Sequence, residues 1–174
     1  SSLSDVITTI FPYKFIGRGY TREQLYDRYL KVHSRAKWRN QRWGTYFLRM
    51  ISFGNSNKNQ LEEIINAICS WKNNHKAALV MHISCAETDS LVKTIGNPCL
   101  QFVEILCPNS DTVSLLAVYR NHDYYRKTLG NFIGLGQLLK FICTETGRTP
   151  GELTCHSAHA YYDVSRTKII QLSK

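Results

Sequence analysis

The sequence predicts an α+β fold in which one mixed or mostly antiparallel sheet carries helices on one side. Residues 100–106 and 112–119 form two strand-like runs, and the turn-forming residues 108–111 between them are typical of a hairpin. Apolar residues recur at helical spacing in residues 57–71 and 125–146, which predicts two amphipathic helices. Such helices cover one face of a sheet, and their order relative to the strands favours the α+β class.

The first half of the chain predicts two helices with a strand between them. Residues 21–38 place apolar side chains at intervals of three and four, which predicts a helix. Residues 45–53 are rich in aromatic and β-branched side chains, so we predict a strand there. The second helix opens at Asn57 or Lys58. Its apolar stripe consists of Leu61, Ile64, Ile65, Ile68 and Trp71.

The second half of the chain predicts the rest of the sheet. Residues 77–85 form a second strand, and the two strands of the hairpin follow. The long helix at residues 125–146 ends before Gly147, which suits the left-handed conformation that closes many helices. Residues 153–163 form the last predicted strand.

Composition and charge limit the classes of function. With 174 residues, 43% of them hydrophobic, the chain is large enough for one domain, residues 1–174, with a substantial core. The formal net charge of +9 indicates an anionic partner such as a nucleotide, nucleic acid or folate polyglutamate, although a solvated basic face is an equally good explanation. The basic residues concentrated early in the chain are Arg22, Arg28, Lys31, Arg35, Lys37, Arg39 and Arg42.

The sequence predicts a cytoplasmic protein without a membrane span. No apolar stretch approaches the roughly 18 residues that a spanning helix needs, and the first five residues lack the features of a secretory leader. The six cysteines lie mostly in apolar runs without paired spacing. We therefore expect reduced, buried thiols; an oxidised framework is the alternative that the even number leaves open.

Cys99 is the first candidate for chemistry. It follows Pro98 at the mouth of an apolar strand, where a thiolate nucleophile could be presented. A nearby cation favours a thiolate, and Arg120, at the end of the paired strand, could supply that charge. The alternative is that Cys99 is one of six small apolar residues that fill the core.

Five polar side chains further along the chain suit a nucleotide site, and each also has a structural explanation. Arg120 and Asp123 stand between a strand and a helix, where they could bind a phosphate and a base edge or form an ion pair and a helix cap. The amide of Asn131 offers a donor and an acceptor to a base, or lies on a helix surface. His159 and Tyr161 alternate, so both project to one face, where they could hold a sugar hydroxyl or form a polar pair at the sheet edge.

Other kinds of site are less well supported. Cys155, His156 and His159 do not have zinc-site spacing, so we predict no metal site. The glycines at 130, 134 and 136 do not form a dinucleotide-binding motif. The ten tyrosines could stack on single-stranded nucleic acid, but several fit amphipathic patterns, so nucleic acid is disfavoured as a partner.

Several of these motifs occur together in the order of one family. The motifs are Pro98-Cys99, Arg120-Asn121-His122-Asp123, Asn131 and His159-Ala160-Tyr161, preceded by Gly44-Thr45-Tyr46. The intervals are 21 residues from Cys99 to Arg120, 11 from there to Asn131 and 28 from there to His159. From about Trp43 to Asp163 the chain resembles the thymidylate synthase superfamily. The resemblance implies a fold of that type and a homodimer formed by sheet packing.

The resemblance also implies a role for each matching residue. Cys99 would add to C6 of a pyrimidine nucleoside monophosphate, so that C5 attacks a one-carbon unit, and Tyr46 would assist proton transfer at C5. Arg120 would bind the phosphate, Asn131 would read the base, and Asp123 would touch the base and the cofactor. Asn121 stands where the family has Ser beside the phosphate. His159 and Tyr161 would hold the sugar hydroxyl. Lys76 and Arg18 would stand for arginines that reach the phosphate, Lys76 towards that of the partner subunit.

Departures from the family pattern leave more than one function open. Leu100 replaces the His that usually follows the nucleophile, Tyr119 replaces a Gln, and 13 residues follow Tyr161 where the family continues into a segment that closes over folate. The resemblance therefore implies a C5 methyltransferase or hydroxymethyltransferase, with 5,10-methylenetetrahydrofolate as the implied cofactor. The alternative is a catalytically impaired nucleotide-binding homologue. Asn131 favours uracil over cytosine; ribose and deoxyribose are not distinguished.

Overall fold

The structure is a computed structural model that describes residues 2–16, 19, 21–35, 43–71, 77–90, 92 and 96–164. The helices are α1 Leu3–Ile10, α2 Tyr13–Ile16, α3 Arg22–Arg35, α4 Tyr46–Ile51, α5 Gln60–Ser70 and α6 Thr128–Thr146. The strands are β1 Ala77–His82, β2 Leu100–Leu106, β3 Thr112–Tyr119, β4 His122–Asp123, β5 Thr149–Ser157 and β6 Ala160–Tyr161. Residues 36–38, the end of the first predicted helix, lie outside the described part.

Four strands form one mixed sheet in the order β1-β2-β3-β5. β2 pairs antiparallel with β1 and with β3, while β5 pairs parallel with β3. The parallel pair needs a crossover, which α6 supplies. β4 and β6 form a separate short parallel pair. These pairings confirm the predicted α+β class, the mixed sheet and the hairpin between β2 and β3.

One face of the sheet is buried under the helices. Along β3, buried residues alternate with half-buried ones, as expected for a sheet with one covered face. The buried residues of β3 are Val113, Leu115, Ala117 and Tyr119, and they share one core cluster with the apolar stripes of α5 and α6. The structure therefore confirms that the helices lie on one side.

Two glycines let α1 lie close against α6. A β-carbon on Gly130 would come within 2.8 Å of Val6, and one on Gly134 within 2.9 Å of Ile10. Both distances are shorter than carbon atoms tolerate, so this helix contact depends on the absent side chains. The contact fixes α6, which carries Asn131, against the N-terminal part of the fold.

The strand predicted at residues 45–53 is wrong, because these residues form α4. Thr45 begins the helix by accepting a hydrogen bond from the backbone N–H of Leu48 at 3.1 Å. Five of the six helix residues are buried, so the sequence lacks the polar face that reveals a helical period. The aromatic residues that suggested a strand reflect burial.

The single strand predicted at residues 153–163 is also wrong in extent. β5 begins earlier, at Thr149, and ends at Ser157, after which the chain bends before β6. Before the bend, β5 pairs with β3; after it, β6 pairs with β4. The alternation of polar residues continues through the bend, so periodicity alone did not reveal the break.

A buried ion pair anchors α4 to the loop that follows β1. Arg49 donates two hydrogen bonds of 2.6 Å to the carboxylate of Asp89 and one of 2.8 Å to the carbonyl of Ile83. Both charged side chains are nearly buried, so the cost of removing each charge from water is offset by the opposite charge of the other. This pair holds the helix that carries Tyr46.

Two further features concern the cysteines and the helices. All six cysteines lie in the described part and are unpaired there. Three of them are buried (Cys85, Cys107 and Cys143), whereas Cys99 and Cys155 are half-buried and Cys69 is exposed, so the expectation of buried thiols is wrong for Cys69. None of the described helices has both the length and the apolar character needed to cross a membrane.

Candidate active site

Sheet topology brings the candidate residues to one edge. Because β2 is antiparallel to β3 while β5 is parallel to it, the start of β2 meets the ends of β3 and β5. Cys99 precedes β2, Arg120 follows β3, and His159 follows β5. Residues distant in sequence thus lie at the same end of the sheet.

Cys99 and Arg120 are held next to each other by the backbone. The N–H of Arg120 donates to the carbonyl of Cys99 at 2.9 Å, and the side-chain Nε of Arg120 donates to the carbonyl of Pro98 at 3.1 Å. Both residues are half-buried. Among the described residues, nothing accepts a hydrogen bond from the terminal nitrogens of this guanidinium. Those two groups are therefore free to bind an anion beside the thiol.

Tyr46 lies against the same loop. It is the first residue of α4, is 9% exposed, and packs against the Trp43 ring at 4.9 Å between centroids. Burial raises the pKa of its hydroxyl, with a smaller contribution in the same direction from Cys99. Backbone hydrogen bonds at Leu100 and Cys99 act in the opposite direction. Tyr46 is thus a neutral hydroxyl beside the thiol, which suits it to relay a proton.

Asp123 and Tyr161 are partners across the β4–β6 pair. Burial raises the pKa of Tyr161, and the negative charges of Asp123 and Cys99 add to that shift, so the three groups share one environment. The Asp123 oxygen Oδ1 accepts the backbone N–H of Arg126 at 2.9 Å and of Tyr125 at 3.2 Å. One carboxylate oxygen therefore holds the turn that leads into α6.

His159 and Tyr161 project to the same side, as the alternation predicted. Their rings stack with centroids 5.9 Å apart and planes 16° apart, although His159 lies in the bend before β6. The Nδ1 atom of His159 lies 2.8 Å from Oδ1 of Asn121. If Nδ1 donates this bond, Nε2 remains an acceptor for a hydroxyl group. Asn121 thus orients His159.

Asn131 lies in the first turns of α6 and is 4% exposed. Its amide nitrogen Nδ2 is 2.9 Å from Nε2 of His122, whose Nδ1 is 2.8 Å from the hydroxyl of Ser157. Burial lowers the pKa of His122, while the neighbouring charge of Asp123 acts in the opposite direction. Asn131 is therefore buried, and its amide nitrogen is hydrogen-bonded to His122. The alternative prediction, that Asn131 lies on the helix surface, is wrong.

Sequence reasoning missed three residues of this region: Thr45, His122 and Ser157. Thr45 directly before an apolar run is a helix-capping signal that was available. His122 stood inside the Arg120–Asp123 segment, but its burial depends on contacts with α6 and β5. Ser157 carried no signal of its own.

Two predicted residues, Arg18 and Lys76, lie outside the described residues. The other eight predicted site residues are all described and cluster at the sheet edge or on the β4–β6 pair. Within the described part, no three His, Cys, Asp or Glu side chains are grouped as metal ligands would be.

Comparison with known proteins agrees with the resemblance drawn from the motifs. The chain is 28% identical over 116 residues to a protein of Methanococcoides burtonii named "Putative thymidylate synthase". The match covers 66% of this chain and 51% of the relative, so the chain spans about half the length of the curated relative it matches. No protein-family model matches the chain. The chain therefore has a distant thymidylate synthase-like relationship.

Proposed function

We propose that the chain transfers a one-carbon unit to C5 of a pyrimidine nucleoside monophosphate through a covalent adduct of Cys99 with C6. The observation that carries this proposal is the juxtaposition at one sheet edge of a half-buried thiol and a guanidinium with free terminal nitrogens. The stacked His159 and Tyr161 rings and the held amide of Asn131 add groups suited to a sugar and a base. The distant relationship to a protein named for thymidylate synthesis supports the same substrate class.

Binding would use three sets of groups. The terminal nitrogens of Arg120 would take the phosphate in a bidentate fashion. Nε2 of His159 and the hydroxyl of Tyr161 would take the sugar hydroxyl, with Asn121 keeping His159 in position. Asn131 would pair with the base edge. The basic net charge of +9 would favour an anionic substrate.

The chemistry would begin when the Cys99 sulfur bonds to C6. The electron pair of the C5=C6 bond would then move to C5, which would attack the electrophilic carbon of a one-carbon donor at the formaldehyde oxidation level as the π bond from that carbon to oxygen or nitrogen opens. Loss of the C5 proton, relayed by the neutral Tyr46 hydroxyl beside Cys99, would expel that oxygen or nitrogen and leave an exocyclic methylene group while the sulfur stays on C6. Water adding to the methylene group would give a hydroxymethyl product, whereas a methyl product would need hydride from an added two-electron reductant. Either addition would expel the Cys99 sulfur from C6 and restore the C5=C6 bond and the thiolate.

Asp123 is the described residue that the resemblance assigns to the folate. Its Oδ1 accepts two backbone N–H groups, and the residue is 6% exposed. Oδ2 therefore remains as the carboxylate oxygen that could bind a ligand. The experiment below varies the one-carbon donor.

A catalytically impaired nucleotide-binding homologue is the second candidate. The hydrogen bonds of Asp123 favour this candidate, because a carboxylate that holds the turn into α6 is less available for chemistry at the base. Such a protein would retain Arg120, Asn131, His159 and Tyr161 as binding groups and would bind the nucleotide without exchanging its C5 proton.

Release of tritium from 5-³H-labelled UMP, dUMP, CMP and dCMP, with and without methylenetetrahydrofolate, separates the two candidates. We expect release from one nucleotide and its loss in Cys99→Ala, since the C5 proton leaves only after sulfur addition at C6. Cys69→Ala is the matched control, because Cys69 is exposed on α5, away from this edge. Nucleotide binding without tritium release from any of the four would overturn the proposed enzyme activity and support the nucleotide-binding homologue.

A further inference from the structure

His122 is a buried histidine whose ring is fixed on several sides. It is 1% exposed and stacks on Tyr119 with centroids 4.2 Å apart and planes 10° apart. Tyr124 contacts it edge-on, with centroids 5.1 Å apart. The two ring nitrogens lie 2.8 Å from Ser157 Oγ and 2.9 Å from Asn131 Nδ2. The ring cannot turn without breaking both hydrogen bonds and the stack.

The orientation of the Asn131 amide and the tautomer of His122 are coupled. A neutral imidazole has one donor nitrogen and one acceptor nitrogen. With Nδ2 of Asn131 directed at the ring, Nε2 of His122 accepts, and the ring proton lies on Nδ1. That proton is donated to the hydroxyl of Ser157. Burial lowers the pKa of His122, which favours this neutral form.

The Asn131 amide, hydrogen-bonded to His122 through Nδ2, offers its remaining hydrogen-bonding groups to a ligand. Oδ1 and the second hydrogen of Nδ2 remain, and among the described residues nothing is hydrogen-bonded to Oδ1. Uracil presents a donor at N3 and an acceptor at C4, whereas cytosine presents an acceptor at N3 and a donor at C4. An amide in one orientation therefore complements one of the two bases, and the same amide turned by 180° complements the other.

We propose that His122 is a positioning residue that selects between uracil and cytosine by holding the Asn131 amide in one orientation. The inference rests on the proposed function, in which Asn131 reads the base. Ser157 is the outer end of the same chain of hydrogen bonds, because its hydroxyl lies 2.8 Å from Nδ1 and can accept the proton carried there. The preference between the bases thus depends on three residues, of which only Asn131 would touch the base.

The first test compares affinities for dUMP and dCMP, and for UMP and CMP, by titration calorimetry. The full chain should prefer one base by at least about tenfold, the discrimination expected of a good bidentate pair. His122→Phe keeps an aromatic ring on Tyr119 but has no acceptor for Asn131. With the amide free to turn, the two affinities should come within about threefold of each other. Ser157→Ala should reduce the preference by a smaller factor and leaves the ring in place.

The second test reads the tautomer directly and needs no nucleotide. Nitrogen-15 NMR of the free protein should show the His122 proton on Nδ1 and none on Nε2, and Ser157→Ala should weaken that preference. This measurement also serves if His122→Phe does not fold.

Three results would overturn the inference while leaving the proposed function standing. They are an unchanged base preference in His122→Phe, equal affinities in the unmodified chain, and a ring proton shared between Nδ1 and Nε2, which would mean that the amide is not held in one orientation. A chain that binds none of the four nucleotides would instead overturn the proposed function, and the inference with it. A His122 that only filled space would give an unchanged preference, since the phenylalanine fills nearly the same volume.

Discussion

At the scale of single residues, the candidate site is held by backbone groups more than by side-chain pairs. Pro98 and Cys99 each offer a carbonyl to Arg120, so the proposed anion-binding group and the proposed nucleophile belong to one hydrogen-bonded unit. A ligand phosphate at Arg120 would be at a fixed distance from the thiol. The position of the substrate relative to Cys99 would then depend on the geometry of the sheet.

Arg120→Lys should separate phosphate binding from base binding. Lysine has no Nε donor for the Pro98 carbonyl and no planar fork for a phosphate. We expect affinity for the monophosphate to fall by about tenfold or more, since hydrogen bonds to charged groups contribute about 1.5–3 kcal/mol each. Affinity for the corresponding nucleoside should change little. Titration calorimetry with both ligands measures the difference.

The matched control for this change is Arg148→Lys. Arg148 follows α6 at the opposite end of β5, where it contacts the carbonyl of Asn109. An equal loss of affinity for nucleoside and monophosphate in Arg120→Lys would show that Arg120 supports the loop and does not bind the phosphate.

Motif order made most of the site predictable, and long-range contacts made the rest unpredictable. The residue types of Cys99, Arg120 and Asn131 indicate their possible chemistry, so the spacing of the motifs was enough to select them as candidates. The importance of His122 comes from being enclosed by β3, α6 and the end of β5. These contacts join residues that are distant in the sequence, so the sequence alone does not indicate that His122 is buried.

At the scale of secondary structure, elements with two distinct faces were predictable. β2 and β3 match their predicted bounds, and α5 and α6 show the predicted apolar stripes. α4 has no polar face and is six residues long, so its aromatic residues favoured a strand. Short, fully buried elements are the ones in which periodicity carries no information.

Thr45→Val should loosen α4 with little change in volume. The Thr45 hydroxyl accepts from the backbone N–H of Leu48 and lies 2.6 Å from the hydroxyl of Tyr29. Valine removes both bonds and leaves the buried Tyr29 hydroxyl without this partner. We expect the free energy of unfolding to fall by about 1–3 kcal/mol. Urea denaturation followed by circular dichroism measures it.

A control for the loss of a threonine hydroxyl is Thr144→Val on α6. Thr144 is exposed and its hydroxyl bonds to Lys140 within the same helix, so the free energy of unfolding should change by less than about 0.5 kcal/mol. Equal effects of the two substitutions would show that the Thr45 cap does not hold α4.

At the scale of the whole molecule, the two faces of the sheet differ in what covers them. The inner face is enclosed by helices, whereas the outer face is half-buried or exposed in the described part. Its side chains are aligned in rows across the strands, and one row contains Val80, Glu104, Leu116 and Thr154. The next row contains His82, Phe102, Val118 and His156. The two rows place apolar side chains between polar ones on the outer face, and we propose this face as the subunit contact of the homodimer that the resemblance implies.

The start of β5 and its parallel pairing with β3 could not be predicted from the sequence. Its inward side chains are only half-buried, and its alternation is that of an antiparallel edge strand as much as a parallel one. Its place beside β3 follows from the crossover through α6, which the sequence did not reveal. The mixed sheet was therefore predictable as a class but not as an order of strands.

Leu116→Glu should convert a dimer into monomers if the outer face is the subunit contact. Leu116 is half-buried in the centre of that face, on β3, and pairs with Glu104 of β2. A glutamate there would oppose its own copy across a twofold interface and add to Glu104, so burial would leave unpaired charge. Sedimentation velocity of the unmodified chain at micromolar concentration should show a dimer, and the variant should sediment as a monomer. Val92→Glu, which adds the same charge at a residue that is 89% exposed outside the sheet, should remain dimeric. A monomeric unmodified chain would show that there is no subunit contact. A dimer that persists in Leu116→Glu would show that the contact lies elsewhere.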